Sequence, residues 1–117
     1  MSEDSNEISI VSFNVNGLRN PVKRHSIFQH FKKFPHDIIC LQETHLIEED
    51  ISLLNTEWGS TTVWNSGTRA SGGVGILVRP NANIHITDIQ KDSNGRILAI
   101  TIEKCDTQLQ ICNIYLE

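Results

Sequence analysis

Apolar residues recur along this chain with two periods. From Glu7 to Val15 they alternate: Ile8 and Ile10, with Ser12, fall on one side of an extended chain, and Val11, Phe13 and Val15 on the other. Apolar residues on both sides predict a central strand covered on both faces. Asn16-Gly17 breaks it. Asn20 followed by Pro21 is a helix start, a capping side chain before a residue whose φ is already helical. The period then shifts: Ile27, Phe28 and Phe31 form one stripe of a helix reaching about Phe34, with Lys23, Arg24, Lys32 and Lys33 outside it, and Pro35 ends it. Asp37 to Gln42 is a short apolar run that predicts a second buried strand, so the chain opens as a βαβ-like unit. A polar stretch with a helical turn near Asp50 to Asn55 follows.

From Trp58 onward the pattern predicts strands only. Thr61–Trp64 is β-prone and Ser66–Gly73 is a Gly/Ser loop holding Arg69. Val74–Arg79, Asn83–Gln90, Arg96–Glu103 and Gln108–Tyr115 have period two. Asp92-Ser93-Asn94-Gly95 is a hairpin turn, since Asn-Gly accepts positive φ, and Lys104–Thr107 is a weaker one. Trp58 and Trp64 are expected to pack on the sheet. These elements predict a layered α/β (α+β) domain: a mostly antiparallel sheet with one main helix on a face.

Composition narrows the class without redirecting it. The 117 residues suit one domain, 1–117, with residues 1–6 expected as a disordered tail, and 38% apolar with 21% charged residues is ordinary for a globular chain. No apolar run is long enough to span a membrane, and the polar, acidic N-terminus is unlike a secretory or transit peptide. An intracellular protein of nucleus or cytoplasm, not secreted, is the expectation. Cys40, Cys105 and Cys112 form neither a disulfide framework nor a zinc spacing and are expected to be buried or half-buried thiols. A formal charge of −4 gives no bulk attraction to nucleic acid and leaves room for a local basic patch.

Candidate chemistry sits where strands end. The first strand ends near Asn14 and the second at Gln42-Glu43-Thr44-His45. If the two strands are parallel neighbours, Asn14 and Glu43 meet at one sheet edge. A carboxylate beside an amide suits Mg²⁺, which takes one or two protein carboxylates and keeps several waters. The plainer reading stays open, in which Asn14 caps a turn and Glu43 is solvated at a loop start.

Four segments in order then resemble the endonuclease/exonuclease/phosphatase superfamily. They are Ser12-Phe13-Asn14-Val15-Asn16-Gly17-Leu18-Arg19, Asp37 through His45, Ser71-Gly72-Gly73-Val74-Gly75-Ile76-Leu77-Val78, and Cys112-Asn113-Ile114-Tyr115. Asn20-Pro21-Val22-Lys23-Arg24 and His45-Leu46 look most like the endonuclease domain of LINE-type, non-LTR retroelements. The resemblance implies a Mg²⁺-dependent (Mn²⁺ possible) hydrolysis of a DNA phosphodiester that nicks target DNA. It makes Glu43 and Asn14 the metal residues and Glu43, Asn14 and Tyr115 the catalytic set, with Tyr115 on a phosphate oxygen. Asn16, Arg19, Arg69 and His45 become candidate contacts to DNA, and Arg79, a further basic residue beside a loop, is a candidate for phosphate as well.

The family continues past this point with an Asp/Asn pair and a Ser-Asp-His motif. The chain is therefore expected to be the N-terminal half of a four-layer α/β sandwich, with about one sheet, an uncovered apolar sheet face, and no activity alone unless a C-terminal half or another chain completes it. A phosphodiesterase or phosphatase of the same fold, or a non-catalytic DNA- or protein-binding remnant, is the alternative.

Overall fold

The computed structural model describes residues 7–116; the tail expected at residues 1–6 lies outside the described residues. The elements run β1 (Ile10–Asn14), α1 (Pro21–Lys33), β2 (Ile38–Gln42), α2 (Glu48–Ile51), α3 (Leu54–Trp58), β3 (Thr62–Asn65), β4 (Val74–Val78), β5 (His85–Lys91), β6 (Ile97–Lys104) and β7 (Thr107–Ile114). The strands form two sheets: β1-β2-β4-β3, in which only β1 and β2 are parallel, and an antiparallel β5-β6-β7.

Helix α1 starts as its sequence predicts. Asn20 stays extended, and its Oδ1 accepts from the backbone N–H groups of Val22 at 2.9 Å and Lys23 at 3.1 Å. This satisfies donors that the first helical turn cannot. Phe28 and Phe31 face inward, and Phe28 meets Trp58 edge-on with ring centroids 5.6 Å apart. The Trp58 indole N–H donates to the Val78 carbonyl at 2.7 Å, so this tryptophan packs against the sheet from a helix.

The core has two layers, and β2 feeds both. Ile39 and Leu41 join Phe28, Trp58, Trp64 and Leu77 beneath the helices. Ile38 and Cys40 join Ile76, Leu98, Ile100 and Ile111 between the sheets. The α/β expectation therefore holds in a helix–sheet–sheet arrangement.

Four expectations are corrected. The chain supplies two packed sheets, not one: β5–β7 close over the face that a single sheet would have left bare. Strand β1 is an edge strand, not a central one, with Ile10 45% and Phe13 48% exposed. Apolar exposure falls there and on the outer face of the second sheet, where Ile97 opposes Ile114. Cys105 and Cys112 are exposed; Cys40 alone is buried, and burial pushes its thiol up to about 11. Finally, the single turn expected at Asp50–Asn55 is two short helices, α2 and α3, which Gly59 closes in the left-handed conformation (φ 90°).

Candidate active site

Strands β1 and β2 run parallel in a register that pairs Asn14 with Gln42, so the loops after both strands leave from the same end of the sheet. The backbone laces these loops together. Gly17 N–H donates to Glu43 O at 2.7 Å and Leu18 N–H to Thr44 O at 2.8 Å. The approach to β4 joins from the other side: Thr44 N–H donates to Gly73 O and His45 N–H to Gly72 O, both at 3.0 Å. Held between these partners, Asn16 (φ 48°), Glu43 (φ 53°) and His45 (φ 57°) all adopt the left-handed conformation. That conformation is costly for residues with a Cβ and persists where surrounding bonds over-determine it.

The side chains converge on Glu43. Tyr115, just beyond β7, donates its hydroxyl to Glu43 Oε1 at 2.8 Å. Asn14 Oδ1 accepts from the Asn16 backbone N–H at 3.0 Å, which leaves the Asn14 amide hydrogens to bond the Glu43 carboxylate. The Tyr115 hydroxyl first, then Asn14, and then the charge of His45 hold Glu43 below the usual carboxylate range. An ionised carboxylate on an open strand-end surface is thereby prepared without a buried counter-ion.

The candidate DNA contacts fare differently from one another. Asn16 is exposed beside Asn14, with its carbonyl accepting from Lys23 Nζ at 2.8 Å. Arg19 is paired with Asp50, Nε to Oδ2 at 3.0 Å. Arg69 is exposed in the loop before β4, at the same end of the sheet as Glu43. His45 is partly buried, and its Nε2 is buried without a hydrogen-bond partner. Arg79 lies at the opposite end, where it pairs with Asp37 at 2.6 Å; it stands away from the Glu43 surface because β4 runs antiparallel to β2.

Asn113, beneath the site, was given no role of its own by sequence reasoning. Asn113 is 3% exposed and bonds Leu41 O, Gly75 O and the Gln42 side chain. The available signal was its phase: in β7 it shares the inward side with Ile111, where a polar residue needs partners.

The donor set fits a hard divalent cation. Among the described residues there is no cluster of three or more His, Cys, Asp or Glu. One carboxylate and one amide leave room for the waters and phosphate oxygens that Mg²⁺ prefers.

The chain belongs to the endonuclease/exonuclease/phosphatase family, whose model matches residues 11–110. It is similar to the transposon TX1 uncharacterized 149 kDa protein of Xenopus laevis, 26% identical over 108 residues, covering 92% of this chain and 8% of that protein. The expected kinship with a transposable element is matched by this relative. The chain is also similar to an exodeoxyribonuclease of Bacillus subtilis, 26% identical over 100 residues, covering 82% of this chain and 39% of that enzyme. Among solved structures, a 3′ phosphatase from Neisseria bound to product DNA hairpin shares the fold with a TM-score of 0.71 at 24% identity, covering 93% of this chain and 41% of that one. The chain thus spans well under half the length of these relatives.

Proposed function

We propose that this chain carries the metal-ligand side of a divalent-metal-dependent DNA endonuclease, using Mg²⁺ or Mn²⁺, of the kind that nicks target DNA for a retroelement. The observation that carries the reading is the Tyr115–Glu43–Asn14 constellation at the ends of parallel strands. Family membership and a transposon-encoded relative support it.

In this reading Glu43 is a metal ligand, and Asn14 and Tyr115 hold its carboxylate ionised and oriented. A bound Mg²⁺ would offset charge on the phosphate and the leaving oxygen. Tyr115 lies within reach of a phosphate oxygen presented at Glu43 and would orient it through its hydroxyl. Asn16 and Arg69 would contact the DNA backbone; Arg19 would do so only by leaving Asp50. The base that activates water, and the rest of the fold, would come from further sequence or from another chain. The protein would work on DNA inside the cell, in nucleus or cytoplasm; among the described residues no helix is long and apolar enough to cross a membrane.

The test is nicking of supercoiled plasmid in Mg²⁺, with the chain fused to the C-terminal part of a relative and with the chain alone. Glu43→Ala and EDTA serve as controls. The reading expects nicking by the fusion, loss with either control, and none from the chain alone. A fusion that leaves plasmid intact but dephosphorylates a 3′-phosphorylated oligonucleotide would replace the endonuclease reading with a phosphatase one. A folded fusion that does neither would leave a binding module.

A further inference from the structure

The interface between the two sheets is mostly apolar; Asn65 of β3 crosses it to Asp92 and Ile97, and a thread of amides crosses it beneath the site. Asn113, on the inner face of β7, donates through Nδ2 to Leu41 O at 3.0 Å and to Gly75 O at 2.8 Å. Leu41 and Gly75 oppose each other in the β2–β4 register, so one amide group grips both strands. Asn113 Oδ1 accepts from Gln42 Nε2 at 2.8 Å, and the same Nε2 reaches Ser12 Oγ of β1 at 2.9 Å. The thread therefore runs from the second sheet through β2 to the edge strand.

A leucine at position 113 would fill a similar volume between Ile and Val side chains without needing partners. A buried amide is costly unless its donors and acceptor are used, and these are used. What the amide adds over an apolar residue is direction: it fixes which part of β7 faces which part of β2. Both ends of the thread adjoin the site. Gln42 immediately precedes Glu43, and Asn113 lies two residues before Tyr115, a spacing that keeps two side chains on one side of an extended chain.

We infer that Asn113 and Gln42 are positioning residues that set the Tyr115–Glu43 contact by fixing β7 against the end of β2. The contact is readable without metal or DNA, and only its consequence for metal binding rests on the proposed function.

Tyr115 is the only tyrosine in the chain, so labelling tyrosine with ¹³C at Cζ gives one NMR signal that reports its hydroxyl. Glu43→Ala supplies the signal of the lost contact. Lys104→Met is the control for general loosening: Lys104 is buried in the second sheet and donates from Nζ to Glu7 O at 2.9 Å, away from the amide thread. Asn113→Leu and Gln42→Met should each move the signal more than halfway to the Glu43→Ala position, and Lys104→Met should leave it in place even with a lower melting temperature. If Asn113→Leu does not fold, Gln42→Met, an apolar replacement of similar length at a half-buried position, decides alone. The inference is overturned if the signal stays at its wild-type position in the folded variants, or if Lys104→Met moves it as far.

Mn²⁺ titration by EPR separates the two claims. Loss of a supporting residue around a metal ligand typically weakens binding about 10-fold or more, so Gln42→Met should do so. A shifted tyrosine signal in a protein whose wild type binds no Mn²⁺ would uphold the positioning and sink the metal site.

Discussion

At the end of the sandwich where β2 begins, Asp37 is 6% exposed and its carboxylate is fully engaged. It accepts from the Ser9 backbone N–H at 2.9 Å and from Arg79 at 2.6 Å, while Lys104 lies close enough to act by charge. At the other end Glu43 has a carboxylate of the same charge, facing solvent, on a left-handed backbone, with a tyrosine and an amide as its hydrogen-bond partners. The first arrangement neutralises a charge and ties the ends of β1, β2 and β4 together; the second keeps a charge available. Stability and the proposed chemistry are therefore placed at opposite ends of the same strands, and substitutions at the two ends should separate.

The largest separation is expected from the two carboxylates. Asp37→Ala removes the acceptor of a part-buried N–H and of a guanidinium and should cost about 1–3 kcal/mol, or roughly 10 °C in Tm, with Mn²⁺ binding unchanged once folded. Glu43→Gln should leave stability within about 0.5 kcal/mol and abolish Mn²⁺ binding. Thermal melts and EPR titration of both variants check this. Equal melting losses, or metal binding lost in both, would erase the division between the ends.

A smaller effect should come from the approach to β4 at the Glu43 end. Gly73 has φ 87°, and a Cβ there would run into Thr44 Oγ1 and come within 3.2 Å of His45 N. Gly73→Ala should cost about 1–3 kcal/mol in backbone strain. Unlike Asp37→Ala it should also shift the Tyr115 NMR signal, because the Thr44 N–H bond to Gly73 O is part of the lacing that holds Glu43.

Acid should loosen both ends for different reasons. Burial alone would raise Asp37, but the Ser9 N–H, the Arg79 hydrogen bond and the Lys104 charge outweigh it, so its carboxyl is held low. Glu43 is held low as well, and so are Asp50 and Asp92. A carboxylate whose folded pKa lies below its unfolded value adds stability above the unfolded value and loses it as pH falls through the folded one. Stability should hold from neutral pH to about 4, near the unfolded carboxylate values, and fall below that. Asp37→Asn should flatten the fall seen in urea titrations across this window, and Glu43→Gln should leave it nearly unchanged, since the Glu43 interaction is screened by water.

How much of this was legible depended on how local the signal is. Runs such as Ile38–Gln42 and Val74–Val78 declare buried strands by composition, and Asn20-Pro21 and Asn94-Gly95 declare a cap and a turn by backbone chemistry. Asn14, Glu43 and Tyr115 were legible because each sits at the end of such an element within a recognisable string. Pairing was not legible. Period two says that a strand has two faces but not which strands adjoin it, so β1 read as central and the second sheet was not anticipated. Arg79 read as a candidate DNA contact until strand direction placed it with Asp37. Asn113 read as a motif letter, because an inward polar residue acquires meaning only when the opposing strands, β2 and β4, are in place.

The smallest expected effect belongs to Arg69. It is exposed in the loop before β4, at the Glu43 end, and among the described residues no hydrogen bond or ion pair engages its side chain, whereas Arg19 at the same end is held by Asp50 and Arg79 at the far end by Asp37. Arg69→Ala should change stability by less than about 0.5 kcal/mol. If Arg69 meets a phosphate, the substitution should weaken DNA binding to a similar degree on unrelated sequences and lower the slope of log affinity against log salt by about 1. Arg79→Ala should instead lower stability through Asp37 and leave the salt slope alone. Titrating a labelled duplex at several salt concentrations separates the two. An unchanged slope for Arg69→Ala would remove this loop from the DNA surface, and a changed slope for Arg79→Ala would extend that surface to the end of the sandwich that the fold uses to hold itself together.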